Sequence, residues 1–485
     1  MNIKDLSISE TLSNAKKLLD EEKNISPALR AMFELLLTIV TLFAGRLSLT
    51  SRNSSKPPSS DPNRQKEKNG KGKNKPGGQP GRQGVTLEPV KTPDKVVPII
   101  IDRSLLPKGK YLEIGFEARQ VVDLKISRIV TEYRAQILED ALGKQHVAPF
   151  PEGITRPIQY GQSIKAHSVY LSLFQLIPYE RVADYFCNEI KIPISVGSLF
   201  NFNQEAYDRL EEFEILVKEK LIASALLHVD ETGINVNGDR IWLHTACNEL
   251  WTHFFPHENR GNEATDAIGI LPSFKGRLVH DHWKPYFVYQ CLHVLCNAHH
   301  VRELQWVIDN HSYAWPKKMQ DLLIETNEAV KNSGVDKLES EAAQAIRLKY
   351  REILVQGKLE MPAVPEGPTF VISKDGIAKK KRGKKKKSKE ANLLERLSNY
   401  ENEVLRFMEE TIVPFTNNRG ENDLRMTKVQ QKISGCFRSM EGAKIFCRVR
   451  SYLLTSQKHG VPPTEALKIL FDGKLPEVFY TERGI

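Results

Sequence analysis

Two aspartates follow short apolar runs that are typical of buried strands. Asp230 ends the run ALLHVD, and Asp281 ends the run GRLVHD. Carboxylates at the ends of strands lie at the rim of a sheet, where ligands gather in α/β folds. Glu421 begins a segment with helical periodicity. On the same predicted helical face, at spacings of four, three and four residues, lie Arg425, Lys428 and Lys432.

Three carboxylates of this kind suit phosphodiester chemistry. Cleavage of a phosphodiester needs a deprotonated attacker and a stabilised leaving oxygen, and two hard cations about 3.5–4 Å apart can supply both. Mg²⁺ prefers oxygen ligands and keeps several waters, so two or three carboxylates are enough. The basic helical face would hold a DNA strand beside the cations. Because the chain has 60 acidic residues, spacing alone does not single out these three.

The composition favours a globular protein that binds a polyanion. Hydrophobic residues make up 40% and charged residues 27% of the 485-residue chain, a balance typical of soluble domains. The net charge of +10 favours nucleic acid as a partner, ahead of an anionic membrane. The six cysteines are scattered, so we expect no disulfide framework and favour a cytoplasmic location. The longest apolar stretch, residues 31–44, is too short to span a bilayer.

The first 84 residues carry an apolar seam and a basic tail. Residues 1–47 are predicted to be helical, and the seam is typical of either a helix docked on a core or a short coiled coil between subunits. The seam residues are Leu29, Phe33, Leu36, Val40, Phe43 and Leu47. Residues 48–84 are predicted to be a flexible basic linker, either solvated or lying along a phosphate backbone. Its candidate DNA contacts are Lys71, Lys73, Lys75 and Arg82.

The middle of the chain changes pattern twice. Short β-rich runs predict a small β-rich domain over residues 85–150. Residues 151–222 turn helical; Pro178 is expected to end or kink the first helix, and a clearer break is expected around Pro193 and Gly197. The two helices around that second break form either a DNA-binding helix-turn-helix or ordinary helical packing. Residues 223–300 alternate strands with a short helix and include an Asn-Gly turn, which predicts an α/β fold.

The remaining residues are mostly helical. Residues 301–412 contain a dense basic run at 378–390, which is either an exposed loop or a further contact with DNA phosphates. Residues 413–485 begin with a cap-like Thr-Asn-Asn sequence followed by helical periodicity.

Longer strings narrow the function further. Between residues 54 and 439, in this order, occur SSKPPSSD, KPGGQPGRQG, YLSLFQLIPYER, HVDETG, HDHW, CNAHHVREL and PFTNNRGENDLRMTKVQQKISGCFRS. Together they resemble the insertion sequence 66 family of bacterial transposases. The resemblance implies an RNase H-like catalytic core with an Asp-Asp-Glu triad. The matching strings assign that triad to Asp230, Asp281 and Glu421.

The resemblance also implies how the core is divided and what it binds. Residues 223–300 and 413–485 would form the two parts of the core, and residues 301–412 its α-helical insertion. The triad would bind two Mg²⁺ ions, for which Mn²⁺ can substitute. Expected partners are transposon-end and target DNA, a second copy of the chain or more, and accessory transposition proteins. No membrane partner is expected, and the location would be the bacterial cytoplasm, at the nucleoid.

The implied reaction is hydrolysis at the transposon ends, followed by attack of the freed 3′-hydroxyl on target DNA. Two alternatives remain. One is a catalytically inactive or repurposed DNA-binding protein, against which the presence of all three acids argues. The other is a nuclease on the same core that cuts without joining.

Two departures from the family pattern bear on DNA binding. The family often carries a zinc-finger-like segment with paired cysteines after GGQPG, but residues 96–120 contain neither cysteine nor histidine. No structural zinc is therefore expected. Gly420-Glu421-Asn422 stands where Ala-Glu-Arg is expected, which removes one candidate phosphate contact.

Cys296 and His299 form a Cys-x-x-His element after the second acid. Tight Cys/His spacing suits zinc, but a second pair of ligands at finger-like distance is missing. The element resembles one that helps to shape the site in some related transposases. We therefore expect a supporting role without metal binding. The alternative is that Cys296 packs in the core and His299 makes an ordinary hydrogen bond.

Overall fold

The computed structural model describes residues 8–22, 24–47, 49–50, 52–54, 61, 84, 86–361, 370–372, 378–380 and 387–481. Its strands are β1 (Ile137–Glu139), β2 (Gln145–Val147), β3 (Leu226–Val236), β4 (Asp239–Cys247), β5 (Thr252–His257), β6 (Arg277–His280), β7 (Leu292–Leu295), β8 (Phe370–Ile372) and β9 (Ala378–Lys380). Its helices are α1 (Ile8–Glu21), α2 (Pro27–Leu47), α3 (Gln162–Val169), α4 (Tyr179–Tyr185), α5 (Val196–Asp208), α6 (Glu211–Ile222), α7 (Asn262–Ile268), α8 (Asn297–Asn310), α9 (Trp315–Asn332), α10 (Ser340–Glu360), α11 (Lys389–Asn399), α12 (Glu401–Leu405), α13 (Asn418–Ser434), α14 (Met440–Lys458) and α15 (Pro463–Phe471).

A five-stranded mixed sheet lies at the centre, with strand order β5-β4-β3-β6-β7. The strands β3, β4 and β5 are antiparallel neighbours, whereas β6 and β7 run parallel to β3. A tight turn joins β3 to β4 through Asn237 and Gly238, whose φ angles are 50° and 98°. Positive φ at both positions is what a type I′ hairpin turn requires. The predicted Asn-Gly turn and the α/β class are confirmed.

Helices cover both faces of this sheet, because side chains alternate along its strands. On β6, Leu278 enters one apolar core and Val279 enters the other, and both are fully buried. The first core draws side chains from α3 to α6, α14 and α15. The second core is built by α8 to α12, the helices that precede α13 in the chain. The two faces of the sheet are therefore covered by helices from distant parts of the sequence.

Helix α14 also covers the edge strand β5. The N–H group of Thr252 donates to Thr455 Oγ1 at 3.1 Å, and that of Phe254 donates to Ser451 Oγ at 2.8 Å. Ser451 and Thr455 are one helical turn apart, so they follow the spacing of alternate residues along the strand. An uncovered edge invites pairing with another chain, which these bonds prevent at β5.

Residues 162–222 are mostly helical, whereas residues 151–161 form turns and irregular backbone. The helix α3 continues into a π-helical turn over Tyr170–Phe174, and Pro178 is the N-cap of α4. Ser195 caps α5, where its Oγ accepts the N–H of Ser198 at 3.0 Å. The apolar faces of α3 to α6 lie in the first core. DNA binding by these helices stays a prediction.

Residues 86–150 depart from the β-rich expectation. Within this fully described range the strands are β1 and β2, a single hairpin of three-residue strands. Large apolar side chains are exposed, as at Ile99 (96%), Ile114 (93%) and Phe116 (93%). The sequence favours extended backbone, but two short strands without a further layer bury no apolar core.

The N-terminal helices α1 and α2 pack on each other. Arg30 Nη2 donates to the carbonyl oxygens of Leu19 and Glu22 at 2.7 and 3.0 Å, so a cation caps the C-terminal end of α1. The seam residues Leu29, Phe33, Leu36, Val40 and Phe43 are 42–62% exposed. Pairing of two copies through this seam stays a prediction.

None of the described helices is long and apolar enough to cross a membrane.

Candidate active site

Asp230 and Asp281 lie side by side at one end of the central sheet. The strands β3 and β6 pair in parallel, with His228 opposite Val279. Two residues further along come Asp230, still within β3, and Asp281, just beyond β6. Neighbouring strands are about 4.8 Å apart, so Asp230 and Asp281 occupy equivalent positions on adjacent strands.

Glu421 lies in the first turn of α13, the helix that packs along β3. Burial and the negative charges of Glu231, Asp281 and Glu421 raise the pKa of Asp230 well above its usual range. The N–H of Glu231, which donates to Asp230 Oδ1 at 2.9 Å, opposes that shift. Glu231, Asp281 and Glu421 therefore lie near enough to Asp230 to raise its pKa, Glu421 with the smallest effect. Among the described residues, the group of three whose ligand atoms lie within 4.8 Å of one another is Cys296, His299 and Glu421, and not the predicted triad.

This carboxylate group fits a divalent cation. Like charges at short range disfavour ionisation, and a cation among them would turn repulsion into attraction. The Oε1 atom of Glu421 is buried without a hydrogen-bond partner and faces His299 Nδ1. Asp230, Asp281 and Glu421 offer carboxylate oxygens, the donors that Mg²⁺ prefers.

Asn417 connects the elements that carry the acids, and sequence analysis gave it no role. Its side chain is buried: Nδ2 donates to the Val229 carbonyl oxygen, and His228 Nδ1 donates to Oδ1, both at 2.8 Å. Its N–H donates to Cys296 Sγ at 3.1 Å, and its carbonyl oxygen accepts the N–H of Glu421 at 3.2 Å. One residue therefore links β3, the start of α8 and the first turn of α13.

The predicted supporting pair lies at the start of α8, against the third acid. Cys296 is the residue before α8, and its side chain is buried. His299 Nδ1 lies 3.9 Å from Glu421 Oε1. Arg302 Nη2 lies 4.0 Å from the other carboxylate oxygen, Oε2, a neighbour that sequence analysis did not single out. The role of the pair stays a prediction.

Glu231 anchors a second group that sequence analysis missed. Its Oε1 accepts hydrogen bonds from Arg260 Nε at 2.8 Å and Nη2 at 2.5 Å, and its Oε2 accepts one from the Tyr286 hydroxyl. The Arg260 guanidinium lies over the rings of Trp242 and Trp283, 4.8 and 4.5 Å from their centroids. Glu231 is thereby ion-paired with Arg260, although burial and the charge of Asp281 still raise its pKa. A partly exposed aromatic and cationic wall stands beside Asp230.

The backbone just after Asp281 is strained. His282 has a φ of 74°, in the left-handed region that non-glycine residues rarely adopt. The N–H of Trp283 donates to Asp281 Oδ1 at 3.1 Å, which orients the carboxylate. The His282 ring packs edge-on against Tyr400, with centroids 4.5 Å apart. The helical layer around α11 and α12 therefore supports the loop that carries the second acid, and strain of this kind collects at functional sites.

Three of the predicted DNA contacts lie on α13, and the others lie outside the described residues. Arg425 and Lys432 are exposed on the face of α13 that begins with Glu421. Lys428 Nζ donates to the carbonyl oxygen of Gly233 at 2.6 Å, so it ties α13 to β3. Outside the described residues lie Lys71, Lys73, Lys75, Arg82 and positions 381–386 of the basic run. DNA binding by all of these stays a prediction.

Comparison with known families gives two matches along the chain. The sequence model of the family described as "Transposase IS66 family" matches residues 157–445, which is more than half of the 485 residues. A family of unknown function, DUF6444, matches residues 4–88. No curated protein matches the chain. The first match includes the three acids, Asn417 and the Cys-x-x-His element.

Proposed function

Because the chain belongs to the IS66 family of transposases, we propose that it cuts DNA at the ends of a transposable element and joins the freed 3′-hydroxyl to target DNA. The reaction is assigned to three side chains, Asp230, Asp281 and Glu421. The observation that supports this assignment is that Asp281 and Glu421 both lie near enough to Asp230 to raise its pKa, beside the parallel pair of β3 and β6.

The core is proposed to be RNase H-like. Its parts would be residues 223–300 and 413–485, with residues 301–412 as the helical insertion. Support comes from a mixed five-stranded sheet with helices on both faces and from the second acid following a strand parallel to the first. The described helices of the insertion build a separate apolar core against β6 and β7.

Asp230, Asp281 and Glu421 would hold two divalent cations, Mg²⁺ or in its place Mn²⁺. Such ions, when bound, activate the attacking oxygen and stabilise the leaving one. Asp230 would be held within β3 and Asp281 just beyond β6, and Asn417 would fix Glu421 relative to β3. Glu231, paired with Arg260, would orient the wall beside Asp230 and leave cation binding to the triad.

The DNA strand would lie along the exposed cations of α13. Arg425 and Lys432 continue the helical face that begins at Glu421, so they would contact phosphates beside the acids. Phosphate contacts of this kind position a strand without reading its sequence. Two copies joined through the seam of α2 would hold two transposon ends together, as a paired reaction requires.

The test is cleavage and joining of DNA that carries the terminal repeats of the element. Asp230→Ala should lower the cleavage rate by at least about 10³-fold, or about 4 kcal/mol in activation free energy. Its DNA affinity should stay near that of the wild type, because the DNA contacts lie on other residues. Asp239→Ala is the matched control, since Asp239 is an exposed aspartate at the turn end of β4 and should be dispensable.

Each alternative has its own outcome in this assay. Wild-type cleavage by Asp230→Ala would refute the assignment of the acids. DNA binding without cleavage by the wild type, in either Mg²⁺ or Mn²⁺, would favour the inactive DNA-binding protein. Cleavage without joining would favour a nuclease.

A further inference from the structure

Cys296, His299 and Glu421 form a group with the donor atoms of a transition-metal site. One ligand atom from each residue lies within 4.8 Å of the other two. Cys296 precedes α8 and His299 lies in its first turn, so both face the first turn of α13. Sulfur, imidazole nitrogen and carboxylate oxygen together are typical of zinc, whereas Mg²⁺ prefers oxygen alone.

Two atoms of this group are buried without a hydrogen-bond partner. They are His299 Nδ1 and Glu421 Oε1, and they face each other across 3.9 Å. That separation is too long for a hydrogen bond. It is close to the distance of about 3.5 Å that separates two ligand atoms around a tetrahedral Zn²⁺ with bonds near 2.0–2.3 Å. A cation between them would satisfy both atoms at once.

Backbone N–H groups face the sulfur of Cys296, among them that of Asn417 at 3.1 Å. Burial raises the pKa of its thiol to about 11, although backbone N–H groups of Asn417, His299 and Ala298 donate to the sulfur and oppose the shift. Those three donors would stabilise a thiolate at the N-terminal end of α8. On binding, the Sγ–H proton would leave to solvent, and the sulfur electron pair would go to the metal.

We propose that Cys296, His299 and Glu421 bind a zinc-like divalent cation, with solvent as the fourth ligand, and that this cation withdraws Glu421 from the other two acids. The regulatory consequence rests on the proposed function, since it requires Glu421 to act with Asp230 and Asp281. Zinc of this kind is an inhibitor that competes for a shared ligand. It is not needed for folding, because Asn417 and two apolar cores already hold these elements together.

The binding test uses Co²⁺, which reports thiolate ligation by absorption. Titration of the full-length, metal-free protein without DNA should give a thiolate-to-cobalt charge-transfer band at one ion per chain, and Zn²⁺ should displace it. The band should vanish in Cys296→Ser and weaken in His299→Gln. It should persist in Cys187→Ser, the control, since all six cysteines are free thiols and Cys187 is exposed. A missing band, or one that survives in Cys296→Ser, would overturn the site.

The regulatory test is cleavage at saturating Mg²⁺ with rising Zn²⁺, each variant being compared with its own zinc-free rate. The Zn²⁺ concentration for half-inhibition should rise at least about tenfold in Cys296→Ser and in His299→Gln. Equal sensitivity of the wild type and both variants would refute competition at Glu421. A protein that binds cobalt but never cleaves DNA would refute the proposed function alone, so the two failures are distinguishable.

Discussion

Apolar side chains are buried around the acid-bearing end of the sheet, whereas similar side chains are exposed in residues 86–150. Around the acids, Leu278 and Val279 are fully buried and Asn417 is 1% exposed, with its side-chain oxygen and nitrogen both bonded. In residues 86–150, Ile114 and Phe116 are each 93% exposed. Strand-forming residues therefore build a domain only where a second layer covers them. The acids are held by such layers, whereas among the residues that the structure describes no layer covers residues 86–150.

The largest expected effect comes from removing the side chain of Asn417 and with it the hydrogen bonds that link β3 to α13. Asn417→Ala should lower the cleavage rate by about 10²–10³-fold, or about 3–4 kcal/mol, because Glu421 would no longer be fixed relative to β3. The Mg²⁺ concentration needed for half-maximal cleavage should rise as well. A residue that only stabilised the fold would lower the amount of active protein without changing that metal requirement.

Asn418→Ala is the matched control for this prediction. Asn418 is the exposed neighbour of Asn417 at the same helix end, so its removal should leave both the rate and the metal requirement near wild-type values. If Asn417→Ala cleaves like the control, the hydrogen bonds around Asn417 do not position the third acid. The contrast between the two regions would then rest on burial alone.

Parts of this contrast could be predicted from the sequence, and the successes are local. The Asn-Gly turn after β3, the break at Pro178 and the helix that begins near Glu421 all follow from short patterns. The role of Asn417 could not be predicted in this way, because its partner His228 lies 189 residues away along the chain. The bond between Glu231 and Arg260 likewise forms only after the chain folds.

The failure at residues 85–150 has a different cause. Runs such as KVVPIIIDR have the β-branched composition of strands, but composition alone does not specify which strands pair. Strand pairing needs partners, which sequence periodicity does not supply. The structure pairs only β1 with β2 in this range. Local patterns therefore predicted the elements that other layers cover, and over-predicted strands in a segment that no described part of the chain covers.

An effect of intermediate size concerns the free energy of unfolding, which should depend on the sheet core but not on residues 86–150. Leu278→Ala should lower the free energy of unfolding by about 3 kcal/mol, because it leaves a cavity in a packed core. Ile114→Ala, a truncation of similar size at an exposed position, should change it by less than about 0.5 kcal/mol. Denaturant unfolding, followed by tryptophan fluorescence, measures both. Comparable losses in the two variants would mean that residues 86–150 are covered in solution, for instance by a second copy.

The smallest effect tests the acid cluster without DNA. In EDTA, Asp230→Asn should raise the free energy of unfolding by about 1 kcal/mol, because it removes one charge from a crowded carboxylate group. Adding Mg²⁺ should reverse the order, since the cation would stabilise the wild type and find a weaker site in the variant. Asp239→Asn, at an exposed aspartate at the turn end of β4, should change nothing in either condition.

The pH dependence gives this prediction its sign. The raised pKa means that folded protein holds the Asp230 proton more tightly than the unfolded chain does. The stability from that proton is fully present below the ordinary value of 3.8 and is lost as the pH rises through the raised folded value. Asparagine cannot ionise, so the advantage of Asp230→Asn should be absent in acid and should grow across that window. An advantage that stays constant with pH would show that packing, and not the crowding of charges that cations are proposed to relieve, separates the variant from the wild type.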